Sequence, residues 1–184
     1  MIGPEFAATL TAAAAGDEAA FAVLWRDLNP PLCRYLRLLA PGWADDLASE
    51  TWHDVIRGLR RFRGDERGFR AWLFTIARHR ALDWGRREAG RPATPVPVED
   101  LADRRAPDDT EAAALEAVST AAALALLARL PPDQAEVVAL RVIGGLDVLH
   151  VAEITGRRPG TVRVLAHRGL RRLAAELAPT VAPL

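Results

Sequence analysis

Residues 152–173 read AEITGRRPGTVRVLAHRGLRRL, and they gather six arginines with no acid after Glu153. Val162, Leu165, Ala166, Gly169, Leu170 and Leu173 recur at three- and four-residue spacing, the mark of one apolar helix side. At about 100° per residue the opposite side collects Val164, His167, Arg168 and Arg171, with Arg163 and Arg172 at its margins. Gly156 is placed to end a preceding helix in the left-handed conformation, and Pro159 and Gly160 follow in the turn. Gly160 or Thr161 is then the expected cap of the basic helix. Upstream, Leu146, Leu149, Ala152 and Ile154 outline a short helix with one apolar side. Helix, tight turn and basic helix make a helix-turn-helix signature. Such a unit sets the start of its second helix in the major groove and its remaining cations on phosphates. The bland alternative is a solvated basic face on a bundle helix, so the rest of the chain has to decide.

The chain has 184 residues, half of them apolar, enough for one domain or two small ones. Its apolar patches are short and broken by charges, and MIGPEFAATL lacks the basic start and cleavage pattern of a secretory peptide. A cytoplasmic protein without membrane insertion is expected. The single cysteine, Cys33, excludes an internal disulfide and a cysteine-rich zinc site, and its apolar neighbours Leu32, Tyr35 and Leu36 point to core packing. All 24 basic residues are arginine, balanced by 24 acids. Residues 1–90 carry 13 Arg against 12 acids, 91–130 carry 4 against 7, and 131–184 carry 7 against 5. Zero net charge does not oppose DNA binding, because the local field over about 10 Å decides.

Helical stripes recur and strand alternation does not persist, so the expected fold is all-α. Residues 89–110, rich in proline and charge, read as a flexible linker between a lobe at 3–88 and a lobe at 111–178 that carries the helix-turn-helix. In the first lobe Asp17 caps a helix through Phe21, Leu24 and Trp25, and Pro31 suits the first turn of another through Leu39. In ADDLASETWHDVIRGLRRF, residues Leu47, Thr51, Val55 and Leu59, with Trp52 and Ile56 beside them, form the buried stripe. Asp45, Asp46, Ser49, Glu50, His53 and Arg57 lie outside. Acids in a first turn are favoured by the helix dipole, and they also suit docking on a basic partner. In RFRGDERGFRAWLFTIARHRALDWGRR the stripe is Phe69, Trp72, Leu73, Ile76 and Ala77, with Arg70, Phe74, Arg78 and His79 off it. Interleaved aromatic and basic residues suit unpaired bases, which stack on planar groups while cations hold phosphates. Phe62, between Arg61 and Arg63 and before a glycine-flanked loop, is the candidate for an extruded base; Trp72 reads as core.

The order of these parts, GDEAAFAVLW, DDLASETWHDVIRGLRRFRG, FRAWLFTIARHRALDWGRR, the acidic linker, LARLPPDQAEVVALRVIGGLD and the opening stretch, resembles a bacterial sigma factor of the extracytoplasmic-function group. The resemblance covers about residues 15–176. It implies a first domain that recognises and melts the minus-ten promoter element, a second that reads the minus-thirty-five element, core RNA polymerase as partner with promoter DNA, and an anti-sigma protein as regulator. Asp46, Leu47, Glu50 and Trp52 match the segment that docks on the clamp helices of the largest polymerase subunit, and Asp45 extends the acidic face. Arg61 to Arg87 match the melting and minus-ten segment, with Arg61, Phe62, Arg63, Arg70, Arg78, His79, Arg86 and Arg87 as candidates. Arg158, Thr161, Arg163, Val164, His167, Arg168, Arg171 and Arg172 are the candidates at the minus-thirty-five element. Arg163 and His167 are expected nearer base edges, and Arg168, Arg171 and Arg172 nearer phosphates. Ser49 stands where the family commonly has glutamine, His79 where it has asparagine and Leu165 where it has arginine. Leu149 and His150 replace a frequently acidic pair.

One rival is a helix-turn-helix regulator with a sensing or dimerising first lobe, but such a lobe has no need of an acidic docking helix followed by a basic aromatic segment. An enzyme is disfavoured because the histidines at 53, 79, 150 and 167 are scattered and no glycine-rich phosphate loop follows a strand. His53 and Asp54, adjacent on one helix, point about 100° apart. No cofactor or metal is expected.

Overall fold

The computed structural model describes residues 1–89 and 111–177, with the side chains of all but 111–118. The described residues are helical with no strand: α1 Phe6–Ala15, α2 Glu18–Leu39, α3 Ala44–Gly58, α4 Glu66–Ala89, α5 Glu111–Ala128, α6 Pro132–Val142, α7 Val148–Thr155 and α8 Pro159–Leu177. Residues 90–110 of the expected linker, and residue 178, lie outside the described residues.

Gly16, at φ +104°, ends α1 in the left-handed conformation, and Asp17 starts α2 by accepting the Ala20 amide at 3.0 Å. The expectation of two helices meeting at Pro31 is corrected: α2 runs unbroken through Pro30 and Pro31. A proline inside a helix costs about 3 kcal/mol. Packing offsets that cost, because Leu24, Leu28, Leu32, Tyr35 and Leu36 form one buried stripe across both prolines. Cys33 is buried in that helix, which pushes its thiol up.

In α3 the stripe holds Leu47, Thr51, Trp52 and Val55, with Leu59 buried just beyond, but Ile56 is exposed, correcting its place in the core. The Trp52 indole donates to Asn29 at 3.0 Å and meets Phe21 edge-on, which ties α3 to α2. Asp65 caps α4 through the Gly68 amide at 2.8 Å. In α4, Phe69, Leu73 and Ala77 are buried as expected, while Trp72 and Ile76 are half-buried. Phe74 and Arg70 are also buried, and this corrects their placement outside the stripe. The reason is tertiary: α4 packs against α2, α3 and α7.

The lobes therefore share packing. Tyr35, Phe74, Val137, Leu140, Leu146 and Val151 belong to one continuous apolar core, and Leu38 packs both on it and on a smaller cluster of Leu127, Leu130, Ala135 and Val138. Burying this surface is favourable at roughly 25 cal/mol per Å².

Candidate nucleic-acid interface and docking face

The second lobe positions α8 with two devices. Asp147 caps α7 by accepting the amides of Leu149 at 2.9 Å and His150 at 3.0 Å. The His150 amide is the main reason its carboxyl lies below the ordinary aspartate value. Gly156, at φ +66°, then ends α7, and its amide and that of Arg157 return to carbonyls of the last turn. The basic helix starts earlier than expected: it opens with Pro159, and the Arg158 carbonyl accepts its first helical bond from Val162 at 3.1 Å. Gly160 and Thr161 thus lie inside the first turn, and neither caps it.

Val162 and Gly169 are buried, and Leu165, Ala166 and Leu173 are half-buried. Leu170 is 48% exposed, and in α7 Leu149 is 61% exposed, so both are corrected out of the core. A Cβ on Gly169 would stand 2.7 Å from Val138 Cγ2, so α8 approaches α6 more closely there than any larger residue permits. Arg158, Thr161, Arg163, Val164, His167, Arg168, Arg171 and Arg172 are all exposed. No described residue pairs with any of the five arginines among them. Five unpaired cations along one solvent face hold a field that an anionic polymer would neutralise.

In the first lobe, Asp45, Asp46, Ser49, Glu50 and His53 are exposed on α3. Asp45 meets Arg37 at 3.6 Å and Glu50 meets Arg80 at 3.3 Å, whereas Asp46 has no partner among the described residues. Behind them Asp54 takes both Arg57 and Arg80, the latter through Nε at 2.7 Å. Burial acts to raise the Asp54 carboxyl, but these guanidinium bonds hold it below its ordinary value. Leu47 and Trp52 are buried, so they shape this face from beneath and do not lie on it.

The basic candidates of the first lobe fall into two groups. Arg61, His79 and Arg87 are exposed without partners among the described residues, and Arg86 stays on its own helix, pairing with Asp83 at 2.9 Å and donating to the Leu82 carbonyl at 3.4 Å. Arg63 turns back on its own loop, donating to the carbonyls of Arg60 and Phe62. Phe62 is half-buried, stacked on Trp72 with centroids 5.2 Å apart and edge-on to Phe69. Arg70 and Arg78 are differently engaged. Arg70 pairs with Asp27 at 2.9 Å and points to the Gly144 carbonyl at 3.5 Å. Arg78 pairs through Nε with Glu136 of α6 at 2.8 Å, and Tyr35 donates to the same carboxylate at 3.3 Å. As placed, neither guanidinium is free for another anion.

Residues 24–91 match the family described as Sigma-70 region 2, and residues 120–173 match Sigma-70, region 4. The ECF RNA polymerase sigma factor ShbA of Streptomyces griseus subsp. griseus is 37% identical over 171 residues, covering 87% of this chain and 88% of that protein. The chain belongs to the ECF RNA polymerase sigma factors. SigD of Mycobacterium tuberculosis, another of them, is 36% identical over 184 residues, covering 96% of this chain and 86% of its own. Among solved structures, CnrH in complex with the cytosolic domain of CnrY matches with TM-score 0.60 at 25% identity, covering 94% of this chain and 96% of CnrH. The sigma factor RpoE of Bartonella quintana, solved with the anti-sigma factor NepR, matches with TM-score 0.61 at 21% identity over 87% of this chain and 98% of its own, a likeness of fold.

This sigma factor is accordingly a transcription initiation factor that directs RNA polymerase to promoters, and its family is not one of enzymes. Among the described residues no helix is long and apolar enough to cross a membrane, and no group of three His, Cys, Asp or Glu is placed to hold a metal. Sequence reasoning missed Asp147, Arg80 and Glu136. The Asp147 cap was within reach, since an aspartate precedes the short helix directly. Nothing local marks Glu136, whose partner lies 58 residues away.

Proposed function

We propose that the sigma factor divides its work between its lobes. Asp46, with Asp45 and Glu50 beside it, docks on a basic surface of core RNA polymerase, and buried Leu47 and Trp52 fix the shape of that face. The end of α4, with His79, Arg86 and Arg87, and the loop at Arg61, Phe62 and Arg63 serve the minus-ten element and the melted strand, with Arg70 and Arg78 on the same helix. The outer face of α8, from Arg158 to Arg172, serves the minus-thirty-five element. Residues 3–88 and 111–178 are then the two working domains and 89–110 their connection. The protein acts in the cytoplasm without catalysis, cofactor or metal. An anti-sigma protein regulates it, as one partners the RpoE of Bartonella quintana.

The observation that carries this reading is the placement of an exposed acidic face on α3 and exposed cations on α4 within one lobe, beside a helix-turn-helix in the other. An isolated DNA-binding regulator does not need the acidic face; a subunit that must seat on a basic patch of a larger enzyme does. Asp46→Arg changes that face without disturbing an ion pair, because Asp46 has none among the described residues. It should weaken capture of core polymerase by about tenfold, or about 1.4 kcal/mol. Unchanged capture by a folded variant would remove the docking assignment.

A further inference from the structure

The contact between the lobes has a chemistry that packing alone does not require. Arg78 and Glu136 are held 2.8 Å apart with side chains only 18% and 12% exposed, and the second guanidinium nitrogen lies 3.5 Å from the other carboxylate oxygen. Tyr35, fully buried, adds its hydroxyl to Glu136. Nearby, Arg70 joins Asp27 of α2 to the Gly144 carbonyl just beyond α6. Charges this dry are worth keeping together: removing one partner strands the other in a poorly solvated place. Yet Arg78 sits on α4, the helix that also carries His79, Arg86 and Arg87 exposed to solvent. Arginine takes a carboxylate and a phosphate with the same two-pronged geometry. Two anions can therefore compete for Arg78, and only one can hold it.

We propose that Glu136 is an internal stand-in for nucleic-acid phosphate. In the free chain it holds Arg78 and keeps the second lobe seated on the first, where α7 packs on α4 and α6 on α2, so that separation of the lobes and release of Arg78 to DNA are one event. This rests on the assignment of α4 to promoter DNA. A binding-competent form that is only partly populated lowers the apparent affinity by that fraction. The sigma factor alone then binds DNA below the strength of its own residues, and whatever parts the lobes restores it.

The test uses the full chain with spin labels at Ala8→Cys on α1 and Ala175→Cys on α8, both exposed, while Cys33 stays buried and unlabelled. Pulsed electron–electron distance measurement should give one short distance in the parent. Glu136→Gln, which keeps size and removes charge, should raise the ratio of open to closed molecules about tenfold. It should tighten binding of short random-sequence single-stranded DNA by a similar factor while the closed form predominates. The exchange Arg78→Glu with Glu136→Arg should restore the short distance without the parent's DNA contact, and it guards against a trivial folding defect. Unaltered distances in Glu136→Gln would overturn the lock. Lobes that open with no gain in DNA affinity would overturn the competition. Transcription with core polymerase, measured on the parent, reads the promoter assignment separately, and its failure would leave the distance result standing.

Discussion

Gly169→Ala tests the contact that aims the basic helix. The added Cβ would lie 2.7 Å from Val138 Cγ2 and 3.5 Å from both Gln134 Cβ and Leu130 Cδ1. Val138 is 2% exposed and β-branched, so its methyl cannot swing away cheaply. Overpacking of this kind costs about 1–3 kcal/mol. Alanine regains about 1 kcal/mol of helix propensity over glycine, leaving a net loss of about 1 kcal/mol. Val138→Ala alone removes two buried methyl groups, about 1.6 kcal/mol at roughly 0.8 each, and the cavity raises this to about 2–3 kcal/mol. In the double variant, the methyl added on α8 occupies part of the space that Val138 leaves and the clash disappears. The pair of changes should together lose only about 1 kcal/mol, a coupling of about 2 kcal/mol between the sites. Denaturant titration of the full chain, followed by far-ultraviolet circular dichroism, measures all three variants. Losses that add to within about 0.5 kcal/mol would show that α8 does not press on α6 at this point.

Asp147→Ala should cost about 1 kcal/mol by uncapping α7. Because the folded Asp147 carboxyl lies below its ordinary value, its contribution is complete above about pH 4 and fades as pH falls through the folded value. Thermal melts of parent and variant should thus converge in acid; a gap that widens there would contradict the cap. At the DNA face, Arg163→Ala should lose about 1–3 kcal/mol on a matched minus-thirty-five element and much less on a scrambled one. Arg171→Ala should weaken both alike and lower the salt slope by about one unit. Equilibrium binding of holoenzyme across salt separates the two, and equal losses on both DNAs for Arg163→Ala would make it a phosphate contact.

The helices were legible because their stripes are local. Leu47, Thr51 and Val55 in α3 and the outward arginines of α8 follow from periodicity alone, and the Gly156 stop follows from glycine's access to the left-handed conformation. What was not legible depends on distant chain. Pro30 and Pro31 looked like a boundary, yet a stripe that runs past them on α2 keeps the helix whole. Phe74, Arg70 and Arg78 looked like a surface because each is off the α4 stripe, yet Phe74 packs on Tyr35 of α2, Arg70 pairs with Asp27 of α2, and Arg78 pairs with Glu136 of the second lobe. Ile56, Leu149 and Leu170 kept the right spacing but sit at stripe edges that no described residue covers. For the site, exposure and charge could be read from the sequence, while pairing could not. Glu136 and Arg80 decide which cations and acids remain free, and each acts across elements.

Transcription by core RNA polymerase from a library of bacterial promoter DNA, with and without this protein, addresses the central claim most directly. Specific start sites should appear only when the protein is added, at promoters sharing paired minus-ten and minus-thirty-five elements, and Asp46→Arg should diminish them all together. Start sites that are the same in its absence, or polymerase that captures the protein yet initiates nowhere new, would contradict the account.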